Sequence, residues 1–443
     1  MRNTTRLPYV VYRAGEATAW RWRGLQYIID GGVPLQGTVR ISGAKNAILP
    51  LLAATVLASQ KCLIHDAPAL NDVAVMAEIL RRLGASVRWL EDNGGRVLEV
   101  DPRHICVSEV PDDLVRQMRS SIFLMGPLLG RLGRVRVAYP GGCAIGPRPI
   151  DLHLRGLEVL GARIHERFGY IDAEATQLVG REVHLDFPSV GATENVMMAA
   201  VLAQGVTVIR NAAKEPEIVD LQNFLNHMGA RIKGAGLDVI RVEGVERLGG
   251  AEYAVIPDRI EAGTLMVAAG ITGGELLIDN CIPEHLDAIT AKLRETGTFV
   301  EESTNRIHVR AADRLIAVDI KTLPYPGFPT DMQPQMMALL CLAEGTSIVT
   351  ETIFENRFKH VEELRRMGAQ IKTEGRTAVI RGVPMLSGAA VEATDLRNGA
   401  ALILAGLASE GTTLVNGVSH VERGYEQLEL KLAQVGARIR KSV

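Results

Sequence analysis

Apolar, small-residue segments alternate along the chain with amphipathic ones, and both recur at a nearly constant interval. The first sign of this repeat is a glycine that follows a helical pattern six times, in five cases between an apolar residue and alanine. Glycine accepts the left-handed conformation that ends many helices, so each copy predicts a helix C-terminus. A short strand-like run follows each of these glycines, which are Gly84, Gly161, Gly229, Gly297, Gly368 and Gly436.

A second element recurs between these glycines and predicts one buried helix per repeat. Each copy is a helix rich in alanine, leucine, methionine and glycine, followed by a turn and an alternating strand. The copies lie at 51–64, 126–137, 197–209, 266–278, 336–349 and 401–415, and the second fits the pattern least well. A helix that is apolar on all sides is buried, whereas an amphipathic helix such as 361–368 should lie outside it. The sequence therefore predicts six α/β units with sheets around central helices.

Length and charge limit the classes of protein to which the chain can belong. With 443 residues it is too long for one ordinary core, and three units per domain give two domains. The net charge is −2, which argues against a nucleic-acid binder with a wholly basic surface. No run of eighteen apolar residues occurs, so membrane insertion is not expected.

The cysteines and the missing cofactor motifs narrow the chemistry further. Cys62, Cys106, Cys143, Cys281 and Cys341 form no close pair, so neither a disulfide framework nor a metal centre is predicted. A reducing, cytoplasmic location is the simplest expectation. The sequence also lacks a P-loop, a dinucleotide-binding fingerprint and a His-Glu-x-x-His pair. No cofactor, metal or obligate protein partner is therefore expected, and side chains and backbone have to supply the chemistry.

The first 26 residues stand outside the repeat. They carry five arginines and no apolar core segment, so they do not resemble an export signal. Two interpretations remain open for this extension. It is either poorly ordered, or an additional strand or arm that packs through Trp20 and Trp22.

Polar residues stand at the start of every predicted central helix, at 42–46, 119–121, 189–193, 257–259, 329–331 and 394–397. Simple N-capping is one explanation, and it is favoured for Ser120, Thr193 and Thr330. Lys45, Arg119 and Arg397 fit it poorly, because a cation opposes the positive end of the helix dipole. An anion bound among these helix starts would remove that conflict, so the pattern predicts an anion-binding site.

The glycine- and proline-rich segment 141–153 is the most informative loop. A cysteine in such a loop is expected to be more exposed than a core cysteine, and Arg148 can help to stabilise a thiolate at Cys143. A small buried cysteine in a glycine turn is the alternative, and the residues alone leave both possibilities open. His153 is expected to be structural or a hydrogen-bond partner.

Long phrases of the sequence resemble one family from about residue 25 to the C-terminus. They include SGAKNAILPLLAA (42–54), GGCAIGPRPIDLHLRGLE (141–158), SVGATENVMMAA (189–200), ENRFKHVEEL (355–364), ATDLRNGAAL (393–402) and ERGYEQLELKL (422–432). The chain is similar in these phrases to the UDP-N-acetylglucosamine enolpyruvyl transferases of the EPSP synthase superfamily. The resemblance implies two inside-out α/β barrels of three units each. It places 45–256 in one domain and 27–44 plus 257–443 in the other, with the N-terminal strand returning to the second domain.

The resemblance also implies the reaction. Phosphoenolpyruvate gives its enolpyruvyl group to the 3′-hydroxyl of UDP-N-acetylglucosamine by addition and elimination, and inorganic phosphate leaves. This reaction is the first committed step of peptidoglycan synthesis. Both substrates are small molecules, and neither a nucleic acid nor a membrane takes part.

Residue by residue, the resemblance places Lys45, Arg148, Arg397 and Arg423 around phosphoenolpyruvate. Cys143 occupies the position of the general acid that protonates the methylene carbon, and of the thiol that fosfomycin alkylates. Asp331 stands where the sugar hydroxyl loses its proton, either as base or as orienting group. Asp395 is a candidate partner for the proton in the elimination.

The residues expected to contact the nucleotide sugar come from several units, and Arg357 is expected to support the site from behind or during closure. The contacts are Asn46, Arg119, Arg148, Pro149, Ile150, Asp151, Leu152, Ser189, Val190, Gly191, Asp331 and Ile353. Two alternative functions remain. One is a 5-enolpyruvylshikimate-3-phosphate synthase type of enzyme, and the other is a non-catalytic protein that binds UDP-sugars.

Overall fold

The computed structural model describes residues 25–92, 95–140 and 149–442. Six helices in these ranges coincide with the apolar segments, and we call them the inner helices of units 1 to 6. In unit 5, for example, all eight residues of the inner helix are buried. The inner helices are Lys45–Ala54, Met125–Leu132, Val190–Ala200, Arg259–Ile271, Gln333–Leu340 and Leu396–Ala408.

Each inner helix is followed by a strand and then by an amphipathic outer helix. The outer helices alternate buried and exposed positions, because one face packs on the unit and the other meets solvent. They are Asn71–Leu83, Asp151–Val159, Pro216–His227, Asp287–Glu295, His360–Arg366 and Leu428–Gln434. Shorter helical segments are Thr55–Leu57, Asp112–Val115, Arg119–Leu124, Pro283–His285, Thr330–Met332 and Val418–Arg423.

Within the described ranges the strands form six sheets, one per unit, and the five four-stranded sheets follow one order. In spatial order, the sheet of unit 1 contains Glu252–Ala254, Cys62–His65, Gly95–Asp101 and Ser86–Asp92, and that of unit 2 contains Arg134–Ala138, Tyr170–Glu174 and Arg163–Arg167. The sheet of unit 3 contains Glu182–His184, Val206–Arg210, Val239–Glu243 and Arg231–Lys233, and that of unit 4 contains Gln36–Arg40, Glu275–Asp279, Arg306–Arg310 and Phe299–Ser303. The sheet of unit 5 contains Ile320–Lys321, Thr346–Thr350, Thr377–Arg381 and Gln370–Glu374, and that of unit 6 contains Ala390–Glu392, Thr412–Asn416, Gln26–Asp30 and Arg438–Ser442.

Unit 2 departs from this order by lacking the fourth strand. A single parallel bridge between Glu109 and Arg136 stands in its place. This unit is also the one whose sequence fits the repeat least well.

Strands from distant parts of the chain close each group of three units. In units 1 to 3, Glu252–Ala254 pairs parallel with Cys62–His65, so the end of unit 3 completes the sheet of unit 1. Strand Gln36–Arg40 pairs in the same way with Glu275–Asp279 and completes the sheet of unit 4.

The first described strand, Gln26–Asp30, completes unit 6 by lying between Thr412–Asn416 and Arg438–Ser442. The buried apolar residues accordingly form two clusters. The first core contains residues between 44 and 255, and the second core combines residues 27–41 with residues 260–437. Helices fill the centre of each and sheets cover the outside, which confirms the predicted pair of inside-out α/β barrels.

The six repeat glycines are confirmed as helix ends. All of them have positive φ angles, between 90° and 112°. Residues with a Cβ rarely adopt this backbone conformation. The turn that follows each outer helix therefore requires glycine.

Cys62 and Cys341 are buried, as the apolar runs around them predicted, and burial raises their pKa values to about 11 and about 12. Trp20 and Trp22 lie outside the described residues, as do Cys143 and Arg148. In the part of the chain that the structure describes, no helix is long and apolar enough to cross a membrane.

Substituting alanine for two of the repeat glycines should separate conformational strain from steric overlap. A Cβ at Gly84 would lie 2.4 Å from the backbone oxygen of His104, whereas a Cβ at Gly368 meets nothing within 4 Å. Both positions have positive φ, so G368A should lower the free energy of unfolding by about 1–2 kcal/mol. G84A should lower it by at least about 1 kcal/mol more, because the backbone has to move. Urea denaturation measures both, and equal losses would contradict this account.

Candidate active site

Asp331 is an acid that two arginines of the second core, Arg357 and Arg397, contact. It lies in the turn Thr330–Met332, just before the inner helix of unit 5. One carboxylate oxygen accepts a hydrogen bond from Arg357 Nη2 at 2.8 Å, and the other accepts one from Arg397 Nη2 at 3.0 Å. Burial alone would raise the pKa of Asp331, but Arg397 and Arg357 outweigh it and hold that pKa well below its usual range.

Arg397 is fixed by groups on both sides of it. It is the second residue of the inner helix of unit 6, and Asp395 caps that helix by accepting from the Arg397 and Asn398 backbone N–H groups at 3.0 Å each. The guanidinium lies over the Tyr425 ring, 5.3 Å from its centroid. The second oxygen of Asp395, Oδ2, is buried and has no hydrogen-bond partner among the described residues. It therefore has an acceptor position to spare.

Lys45 begins the inner helix of unit 1, and carboxylates hold both its backbone and its side chain. Its backbone N–H donates to Asp258 Oδ2 at 3.1 Å, while the other oxygen of Asp258 caps the inner helix of unit 4. Its Nζ lies 3.0 Å from Asp72 Oδ2. Arg423 reaches the same carboxylate, with Nε donating to Asp72 Oδ1 at 2.9 Å. Lys45 and Arg423 are far apart in the sequence, and they therefore share one carboxylate only in the folded chain.

Glu351 joins the turn of Asp331 to the segment that carries Ile353. Its side chain is buried and accepts from the hydroxyls of Thr322 and Thr330 at 2.9 Å each. It also accepts from the backbone N–H groups of Ile353 at 2.8 Å and Phe354 at 3.2 Å. Ordering these four donors fixes the backbone beside Asp331.

The predicted nucleotide-contact segments of units 2 and 3 meet one another. Ser189 caps the inner helix of unit 3 by accepting from Ala192 N–H. At Gly191 a Cβ would lie 3.0 Å from His153 Cε1 and 3.1 Å from Phe123 Cε1, so the backbone passes close to both rings. Phe123 belongs to the turn that Arg119 begins, and His153 follows the segment from Pro149 to Leu152.

Asn195 forms hydrogen bonds with the turn that contains Phe123 and with His153. Its amide donates to the Ile122 carbonyl at 2.9 Å and lies 3.0 Å from His153 Nδ1. Its carbonyl oxygen accepts from Gly126 N–H at 2.6 Å. His153 is buried, as expected for a structural histidine, and Asn195 is the hydrogen-bond partner that the sequence did not identify.

The structure corrects the N-capping explanation for three residues. Thr193 lies one turn inside its helix, where its hydroxyl donates to the Ser189 carbonyl and accepts from Ala213 N–H. Thr330 binds Glu351 instead of capping, and Ser120 lies within the turn Arg119–Leu124, which has no side-chain cap. Ser189, Asp258 and Asp395 are the caps, because each has the extended backbone of an N-cap residue and a side chain that accepts from N–H groups of the first turn.

Of the predicted residues, Asp331 contacts Arg397 directly, whereas Lys45 and Arg423 are brought together through Asp72. Asn46 is half-buried directly after Lys45. Asp395 caps the helix that carries Arg397, and Ile353 shares the Glu351 carboxylate with Thr330. Asp72 and Glu351 were not predicted. Asp72 has the ordinary sequence signature of an acid in the first turn of a helix, and Glu351 follows a strand without any motif. Among the described residues, no three histidine, cysteine or acidic side chains form a metal-binding group.

Comparisons with known proteins agree with this architecture. Residues 29–432 match the family model described as EPSP synthase (3-phosphoshikimate 1-carboxyvinyltransferase). The chain is 64% identical over 416 residues to UDP-N-acetylglucosamine 1-carboxyvinyltransferase 1 of Symbiobacterium thermophilum, covering 94% of each protein. The chain belongs to the EPSP synthase family. A relative of the same name from Caldanaerobacter subterraneus is 56% identical over 94% of this chain and 99% of its own length.

Solved structures extend the likeness to more distant members of the fold. The enolpyruvyl transferase NikO from Streptomyces tendae superposes with a TM-score of 0.86 at 26% identity, over 95% of this chain and 99% of NikO. EPSP synthase from Acinetobacter baumannii superposes with a TM-score of 0.73 at 18% identity, over 95% of this chain and 100% of the synthase. At that identity the likeness shows the common fold alone. These 1-carboxyvinyltransferase relatives are therefore much nearer in sequence than that synthase.

Glu351 offers a direct test of the network beside Asp331. E351A should lower the free energy of unfolding by about 2–4 kcal/mol, because buried donors lose their acceptor. E351Q should cost about 1 kcal/mol, since its oxygen keeps three acceptor contacts and its amide can donate to Thr330. The control is E374A, which removes an exposed partner of Lys372 and should change little. Urea denaturation of the three variants gives the comparison, and equal losses for E351A and E351Q would be inconsistent with this network.

Proposed function

We propose that this chain transfers the enolpyruvyl group of phosphoenolpyruvate to the 3′-hydroxyl of UDP-N-acetylglucosamine and releases inorganic phosphate. The observation that carries this conclusion is its 64% identity, over nearly its full length, to a UDP-N-acetylglucosamine 1-carboxyvinyltransferase. The reaction begins peptidoglycan synthesis, and we propose that the chain carries it out in the cytoplasm. The clustered cations and the absence of cofactor motifs fit two anionic substrates that react with each other.

Phosphoenolpyruvate brings a carboxylate and a phosphate on a small frame, so several cations have to share its site. Arginine suits both groups because its planar fork can donate two parallel hydrogen bonds. We assign this role to Lys45, Arg397 and Arg423, together with Arg148. Lys45 and Arg423 share one carboxylate, so that pair keeps a net positive charge for the substrate.

The addition step requires a proton on the methylene carbon and the loss of one from the sugar hydroxyl. Cys143 would deliver the first proton as its S–H bond breaks, while the hydroxyl oxygen bonds to the neighbouring carbon of phosphoenolpyruvate and the hydroxyl proton passes to water. In the elimination, a methyl proton leaves as the bond to phosphate breaks. Asp395 could receive that proton, because its Oδ2 has no competing donor among the described residues.

Asp331 is better suited to orient the sugar hydroxyl than to deprotonate it. Two arginines occupy its oxygens and keep its pKa low, which makes it a weak base. A carboxylate with fixed position and full charge can still accept a hydrogen bond from the hydroxyl and align its oxygen for attack. We therefore favour the orienting role.

The nucleotide sugar would lie against the converging segments of units 2 and 3. Arg119 can pair with the diphosphate, and the helix that Ser189 caps presents the backbone N–H groups of Val190 and Gly191 at its start. Pro149, Ile150, Asp151 and Leu152 flank this surface, and Asn46 and Ile353 would complete it from units 1 and 5. Gly191 suits this place because a Cβ would press on His153 and Phe123, which would have to shift by a few tenths of an ångström.

The choice of acceptor is tested by phosphate release from phosphoenolpyruvate with either UDP-N-acetylglucosamine or shikimate 3-phosphate. We expect release only with the nucleotide sugar. Release only with shikimate 3-phosphate would mean that the acceptor is wrong. No release with either, from folded protein, would favour a protein that binds UDP-sugars without catalysis.

The role of Asp331 can be tested by comparing D331N with the wild type at about pH 5.5 and about pH 8.5. The pKa of Asp331 is held below an ordinary value of about 3.9, so the group is charged at both pH values. D331N should therefore lower kcat/KM by at least about tenfold, and by the same factor at each pH. D186N, at an exposed ion pair with Arg155, should leave kcat/KM unchanged. A factor that shrinks at the acid pH would instead assign Asp331 a titrating, basic role.

A further inference from the structure

Asp72 is a buried carboxylate whose two oxygens are both occupied by cations. It is the second residue of the outer helix of unit 1, and its side chain is 4% exposed. Oδ1 accepts from Arg423 Nε at 2.9 Å, and Oδ2 lies 3.0 Å from Lys45 Nζ and 3.4 Å from Arg423 Nη2. Burial raises the pKa of Asp72, but Lys45 and Arg423 more than offset this and lower it. The group is therefore a carboxylate at neutral pH.

The contact joins the two cores. Asp72 and Lys45 lie on helices of the first core. Arg423 ends the segment Val418–Arg423, whose buried Val418 and Val421 belong to the second core. Asp72 therefore brings these two cations, one from each core, to one point.

Gly424 leaves the space in which Lys45 approaches Arg423. A Cβ at Gly424 would lie 3.1 Å from Lys45 Cδ, so the glycine leaves room for the lysine stem beside Arg423. The Arg423 side chain keeps 38% of its surface exposed while Asp72 is enclosed. Arg423 is thus anchored by its carboxylate partner while part of its side chain remains accessible to solvent.

Electrostatics explains why a shared carboxylate is needed. Two cations at one site repel each other, and the repulsion grows as water is excluded. One carboxylate between them cancels part of this repulsion and still leaves a net positive charge. An anionic ligand then meets cations that are already in place, which reduces the ordering cost of binding.

We propose that Asp72 is a positioning residue that holds Arg423 beside Lys45 across the two cores, and that it thereby sets the affinity for phosphoenolpyruvate but not for the nucleotide sugar. This inference rests on the proposed function, because both cations are assigned there to phosphoenolpyruvate. Asp72 acts through its two partners and need not touch the substrate.

The test compares D72N with a matched control, E426Q, in the full chain. Glu426 is another carboxylate between the two cores. It accepts from Ser42 Oγ at 2.8 Å, from Ala69 N–H at 3.0 Å and from Arg96 Nη1 at 2.5 Å, and it contacts neither Lys45 nor Arg423 through these bonds. Both variants remove one charge from a contact between the cores, but only D72N removes it from the cation pair.

We expect D72N to raise the KM for phosphoenolpyruvate by about tenfold to a hundredfold, the effect of losing a charged hydrogen-bond partner. The KM for UDP-N-acetylglucosamine should stay within about twofold. E426Q should not raise the KM for phosphoenolpyruvate more than the KM for UDP-N-acetylglucosamine. Equal increases in both, or the same pattern in D72N and E426Q, would reduce Asp72 to a contact between the cores and overturn the proposal. A lower KM for phosphoenolpyruvate in D72N would overturn it too, since Asp72 would then compete with the substrate.

D72E keeps the test decisive if D72N does not fold, as judged by its thermal unfolding. The longer side chain retains the charge but moves the carboxylate, so the KM for phosphoenolpyruvate should rise less than in D72N and more than in the wild type. An unchanged KM in folded D72E would contradict the proposal. The wild type is assayed first with UDP-N-acetylglucosamine, and its failure to release phosphate would refute the proposed function rather than this inference.

Discussion

The inner helices lack a polar face, and this constraint organises the molecule. A helix such as Gln333–Leu340, buried at every residue, has to be enclosed on all sides by other apolar surface. Three such helices can share one core only if the amphipathic helices and the sheets stay outside. The sides of the inner helices are then unavailable for chemistry. Their polar residues lie mostly in the first two turns, and Lys45 and Arg397 stand at such helix starts.

Cations at the start of a helix are electrostatically unfavourable, and the structure pairs both Lys45 and Arg397 with an acid. Asp331 lies between Arg357 and Arg397, and Asp72 lies between Lys45 and Arg423. In both groups one carboxylate serves two cations, so each group keeps a positive charge. This excess charge is what suits the site to phosphate and carboxylate ligands. The same acids fix the geometry, because a guanidinium held by a carboxylate loses less freedom on binding.

The local sequence pattern was sufficient for much of the fold. The glycine at 84 and its equivalents predicted helix ends correctly, because the left-handed conformation is a property of a single residue. The apolar segments predicted the inner helices correctly, because burial follows from composition. The capping prediction failed at Thr193 and Thr330, because a hydroxyl near a helix start has several possible partners and the neighbouring backbone decides among them.

The sequence by itself determined the six units, the helix ends and the cations at the helix starts, since each is encoded in a few adjacent residues. Only the tertiary structure decided which acids those cations meet. Asp72 and Arg423 are 351 positions apart, and no periodicity in the chain connects them. Strand Gln26–Asp30 likewise acquires its place between Thr412–Asn416 and Arg438–Ser442 only when the barrel closes. Contacts of this kind depend on how whole units pack, so they become visible only once both cores are assembled.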